Sequence, residues 1–75
     1  MKDSEIKKIL VEENEEFKRI YEEHQNYENQ LKDYQQKHFL TSEEEIEVKK
    51  IKKKKLALKD RMQQIINEYK KERQN

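Results

Sequence analysis

The sequence predicts an all-α fold, an antiparallel two-helix hairpin of coiled-coil type, and three observations carry that expectation. The chain has no glycine and no proline, so nothing punctuates it. Most of its residues are good helix formers: Glu, Lys, Gln, Leu, Ile and Arg. Its apolar positions also fall on two heptad seams of nearly equal length. At 75 residues the chain makes one domain, 1–75, in the size range where a single core is marginal.

The first helix is expected over about 4–38. From Phe17 the seam runs through Ile20, His24, Tyr27, Leu31, Tyr34 and His38, alternating three- and four-residue steps along one helix face. Continued backwards it meets the charged Glu13 and then Leu10 and Ile6, so it lapses once, in VEENEEF. Asn14 is a competent N-cap there, with Glu15 and Glu16 placed to favour a first turn. A continuous helix from about Ser4 is the favoured form, and a break near Asn14 is the alternative.

A turn is expected at about 39–41. Thr41 with Glu44, and Ser42 with Glu45, both fit the capping box, in which hydroxyl and carboxylate satisfy each other's orphaned backbone N–H groups. The second helix, about 42–72, then carries Val48, Ile51, Lys55, Leu58, Met62, Ile65 and Tyr69 at the same spacing, and Ile66 broadens the stripe. Equal seams joined by a short turn fold back on each other. At 1.5 Å per residue the hairpin is roughly 45–50 Å long.

Charge separates the two arms. Residues 1–38 hold 7 Lys+Arg against 10 Asp+Glu, net −3, while residues 39–75 hold 11 against 7, net +4. Seven of the twelve residues in KKIKKKKLALKD, 49–60, are lysines. Folded antiparallel, Glu28 is expected near Lys54 and Lys55, Glu22 and Glu23 near Lys59, and Glu12 and Glu13 near Lys70 and Lys71. Exposed pairs of this kind are worth only about 0–1 kcal/mol each, so they select register more than they stabilise.

Two stretches carry a resemblance. EEHQNYENQL, 22–31, and IKKKKLALKDRM, 51–62, resemble the YdcH-like family of small bacterial proteins. Members show E-H-x-x-L-D-x-x-I and, further along, L-K-K-x-K-L-x-L-K-D. This chain keeps Glu23, His24 and Leu31 of the first element, with Tyr27 for leucine and Glu28 for aspartate. Of the second it keeps Lys52, Lys53, Lys55, Leu56, Leu58, Lys59 and Asp60, with Ile51 for leucine. Members often have proline where this chain has Glu15, which implies a helix break in those relatives. The resemblance implies a cytoplasmic helical hairpin of unknown function and brings no substrate, cofactor or catalytic residue.

The residue constellations point away from catalysis. Cysteine is absent, and with it disulfides and thiolate metal sites. His24 and His38 are two heptads apart, about 21 Å along a helix, too far for one ion. His24 and Glu28 at i, i+4 offer two metal ligands and lack a third. A histidine hydrogen-bonded to a neighbouring carboxylate is the expected state of His24, titrating near neutral pH. Lys55, inside the seam, is expected to pack its stem and reach Glu28 or stack on Tyr27. No catalytic residue, cofactor, metal or small-molecule substrate is expected.

The lysines encircle the second helix at 100° per residue, with Lys49 and Lys53 outermost. Nucleic-acid-binding helices gather charge on one face, with pI above about 9, whereas this chain has pI 7.9. Nucleic-acid binding through the lysine-rich helix is therefore the alternative to the leading expectation, a non-enzymatic protein–protein interaction or self-association module. Leu56 motivates the latter, because it lies opposite the seam among Lys49, Lys53 and Asp60, a candidate partner surface. Ile46 and Val11 also lie off the seam. No apolar run reaches the ~18 residues of a membrane span, and the expected location is cytoplasmic, without membrane contact.

Overall fold

A computed structural model describes residues 2–73, which form three α-helices and no strand: α1, Asp3–Glu13; α2, Glu15–Gln35; and α3, Ser42–Arg73. The all-α expectation holds. The hairpin detail needs correction, because the first arm is two helices in place of one over about 4–38.

Asn14 makes the break. Its backbone is extended, φ −121° and ψ 109°, and its side chain accepts the Phe17 N–H at 3.0 Å, capping α2. Its own N–H still donates to the Leu10 carbonyl at 2.8 Å, so the same residue closes α1. Glu15 and Glu16 follow in the first turn, where the helix dipole favours carboxylates. One residue thus supplies a bond to each helix end, which lowers the cost of interrupting the helix.

Burial explains why the break is taken. In the expected hairpin register a straight first helix would carry Ile6 past Arg73, the last described residue of α3. Instead α1 turns across the open end of the hairpin and packs on both α2 and α3. Ile6, Leu10, Phe17, Met62, Ile65 and Ile66 become one buried cluster, with Val11, Ile20 and Tyr69 packed against it. Ile66, off the strict seam, is 0% exposed, as is Phe17. Each such side chain contributes about 1.5–3 kcal/mol on burial.

The other end also departs from expectation. α2 stops at Gln35, and residues 36–41 connect it to α3, a longer link than 39–41. The Gln36 N–H is shared between the carbonyls of Lys32 and Asp33 at 3.2 and 3.3 Å, and the Lys37 N–H turns to Tyr34 at 3.1 Å. This is the tightened last turn that satisfies a helix end. Lys37 then pairs with Glu44 across the loop and lies 5.5 Å from the centre of the Tyr34 ring. His38 is consequently outside the helix and exposed, so it leaves the seam. The capping box forms at Thr41: its hydroxyl accepts the Glu44 N–H and its N–H donates to the Glu44 carboxylate, both at 3.1 Å. Of the two pairings the sequence offers, this one is used, and Ser42 becomes the first helical residue. The molecule is 52 Å long, close to the expected rod.

Replacing the double cap should loosen α1. Asn14→Ala is expected to lower the unfolding free energy by about 1 kcal/mol, seen as a lower urea midpoint, whereas Asn14→Asp should stay near wild type.

Candidate functional site

All thirteen seam residues lie against the interior. Phe17, Leu31, Ile51, Met62 and Ile65 are buried, and Ile20, His24, Tyr27, Tyr34, Val48, Lys55, Leu58 and Tyr69 are half-buried. The outer face of α3 is different. Leu56 is 59% exposed and Ile46 55%, in the company of exposed Lys49, Lys53 and Asp60.

The cross-helix ion pairs are fewer than the charge pattern suggests. Lys55 reaches Glu28 at 2.7 Å, with both side chains about one-third exposed. Bonding to the Lys55 ammonium holds the Glu28 carboxyl below the usual carboxylate range. It is Lys54, not Lys55, that lies over the Tyr27 ring, 5.9 Å from its centre. Arg61 reaches Glu16 at 3.0 Å.

Two expected groupings do not form among the described residues. Neither Glu22 nor Glu23 pairs with Lys59, and Lys70 pairs with Asp3 in place of Glu12 or Glu13. The helix break explains the second change, because α1 brings its N-terminal turn to α3. The Lys70 ammonium in turn lowers the Asp3 carboxyl. Lys49, Lys50, Lys52, Lys53, Lys54 and Lys59 are exposed and make no ion pair with a described residue, so α3 keeps most of its positive charge in water.

All three helices meet at a cleft of about 230 Å³. Its walls are Lys7 from α1; Tyr21, His24, Gln25 and Glu28 from α2; and Lys55, Lys59 and Met62 from α3. His24 and Glu28 are one turn apart on α2, and Lys55 and Lys59 one turn apart on α3, so each pair faces the same way. Lys7 arrives only because α1 folds back. Lys7 and Tyr21 went unrecognised as partners of this site, since nothing in the heptad pattern of α2 and α3 locates α1 beside them. The lapse at Asn14 was the one available signal.

His24 departs from its expected state. Glu28 gives its charge to Lys55, and the buried Nε2 of His24 has no hydrogen-bond partner among the described residues. Burial lowers the pKa of the imidazole below the usual histidine value; Glu28 opposes the shift, while Lys55, Lys59 and Lys7 reinforce it. The neutral ring is therefore the folded form at neutral pH. A buried nitrogen left without a partner costs about 1–3 kcal/mol. Among the described residues no three potential metal ligands gather, and no helix is long and apolar enough to cross a membrane.

A depressed histidine pKa makes folding pH-dependent with a definite sign. Between the folded value and the unfolded value near 6.5 the unfolded chain binds more protons, so stability falls with falling pH. The contribution is full above pH ~6.5 and is lost as the pH drops through the folded pKa. The charged groups facing His24 are Lys7, Glu28, Lys55 and Lys59. The shifted carboxyls of Asp3, Glu28 and Glu44 titrate in more acidic solution. Urea midpoints measured from pH 7.5 downward should decline for the wild type and flatten in His24→Gln; equal slopes for the two would contradict this assignment.

Comparison with known proteins places the chain. Residues 17–66 match the model of a family described as "Protein of unknown function (DUF465)". The match takes in most of α2, the connection and α3 as far as Ile66, and it leaves out α1. No curated protein and no solved structure matches. YdcH-like proteins are grouped in this same family, so the two sequence elements and the family match agree. Covering two helices and the turn that pairs them, the match shows that the chain belongs to the DUF465 family.

Proposed function

We propose that this protein is a non-enzymatic self-association module, a cytoplasmic helical rod that pairs through the outer face of α3. The observation that carries this reading is the exposure of Leu56, 59%, and Ile46, 55%, on a helix whose opposite face is already packed. A single exposed leucine is ordinary. Two exposed aliphatic residues on one outer face, framed by Lys49, Lys53 and Asp60, give a second copy both an apolar contact and a charged rim. Two hairpins joined in this way form a four-helix bundle with added core, which suits a chain at the lower limit of independent stability.

Sedimentation equilibrium of the wild type and Leu56→Glu checks the reading. The wild type is expected to associate at micromolar concentration, and the variant, with a buried carboxylate forced on the contact, to associate at least tenfold more weakly. A wild-type monomer throughout that range, or identical association of both proteins, would count against it.

The exposed lysines of α3 that make no ion pair with a described residue support a second reading, nucleic-acid binding through this helix. They surround the helix, so the contact would be with phosphates and indifferent to sequence. It predicts a mobility shift at low salt that disappears steeply as salt rises. An unshifted probe at low salt removes this reading and leaves the first untouched.

A further inference from the structure

We propose that the three-helix cleft beside His24 is a binding site for a small oxyanion of the phosphate class. Its walls bring Lys7, Lys55 and Lys59 together against one carboxylate, Glu28, a formal net charge of +2 with His24 neutral. Lys55 is engaged by Glu28 at 2.7 Å, whereas Lys7 and Lys59 have no ion-pair partner among the described residues. Folding therefore brings lysines from two helices to the walls of one cleft and leaves two of them without an ion-pair partner among the described residues, so an anion placed there is attracted by all three.

The hydrogen-bonding inventory fits the same occupant. Two ammonium groups offer several donors each, and Tyr21 and Gln25 on the wall add a hydroxyl and an amide. An oxyanion accepts from all of these, and charge-assisted bonds to its oxygens are the stronger kind. The imidazole of His24 stands on the same wall. At about 230 Å³ the cleft is smaller than sites for drug-sized ligands, so phosphate or a compact phosphate monoester is the size that fits.

Binding would also couple to the fold. Lys7 lies outside the family-matched residues 17–66 and reaches the cleft only through the break at Asn14. An anion bridging Lys7 to Lys59 therefore ties α1 to α3. It also reverses the effect of the lysines on His24, raising the affinity of the imidazole for a proton. The other charged groups facing the ring, Glu28 and Lys55, neutralise each other.

The test is an NMR titration of the full chain with inorganic phosphate, ionic strength held constant with sodium chloride, reading the His24 ring signals. A saturable shift is expected, with a higher His24 pKa at saturation and a higher urea midpoint in phosphate than in chloride. Lys7→Gln and Lys59→Gln should each weaken binding about tenfold through loss of a charge-assisted bond, whereas Lys53→Gln on the outer face should not. Because Lys59 is exposed, its variant keeps the fold if the docking of α1 is sensitive to Lys7. A non-saturating shift, equal weakening by Lys53→Gln, or an equal response to acetate would overturn the proposal in favour of a diffuse counterion atmosphere. Since the readout is local to His24, failure here is distinguishable from failure of self-association.

Discussion

Two helices packed side by side each shield one stripe, and in a chain that is 47% charged that leaves little apolar surface to hold them together. The open end of such a hairpin is its weakest region, because no loop ties the strands of helix there. Docking of α1 onto that end meets the constraint. It converts Phe17, Met62, Ile65 and Ile66 from a half-covered stripe into a closed cluster with Ile6 and Leu10. Three of the eight most deeply buried apolar side chains are therefore in α1 or off the strict two-helix seam: Ile6, Leu10 and Ile66. Asn14 eases the break by keeping its own bond to the Leu10 carbonyl and by capping the Phe17 N–H.

Electrostatics shapes the rest. Opposite charge on the two arms suggests a rod zipped along its length, yet among the described residues the pairs that form are sparse. Lys37 with Glu44 clips the turn, Lys55 with Glu28 marks the middle, and Arg61 with Glu16 and Lys70 with Asp3 fasten the open end. These four sit at intervals along the rod and are enough to fix register. The remaining lysines of α3 stay hydrated, as expected for compact ammonium groups that lose more by desolvation than an exposed pair returns. Lysines without an ion-pair partner among the described residues thus remain around the outer surface of α3 and, with Lys7 and Lys59, on the walls of the cleft.

Much of this was legible from residues alone, and the exceptions have physical reasons. The heptad spacing located the interior of α2 and α3 because period and burial are linked directly. The capping box at Thr41 was legible because it is a local hydrogen-bond pattern four residues long. Asn14 was recognised as a competent cap, but whether a helix breaks at a competent cap depends on what the free segment can bury elsewhere. That is a tertiary question, and the answer lay in Ile66, fifty-two residues away. The end of α2 was placed too late because Tyr34 and His38 keep the heptad spacing, while the pairing of Lys37 with Glu44 closes the turn sooner. His24 was expected to bond a carboxylate; Glu28 had a stronger partner in Lys55, and a ring nitrogen cannot compete with an ammonium for that charge. The cleft was invisible for the same reason as the break, since one of its walls is α1.

The account depends on α1 lying on the other two helices in solution, and nuclear Overhauser contacts test that directly. Methyl protons of Ile6 and Leu10 should show contacts to the Phe17 ring and to Ile66, together with contacts between α2 and α3. If the α2–α3 contacts are present and those from Ile6 and Leu10 are absent, the open end is not closed by α1, and the cluster described here does not hold the fold together.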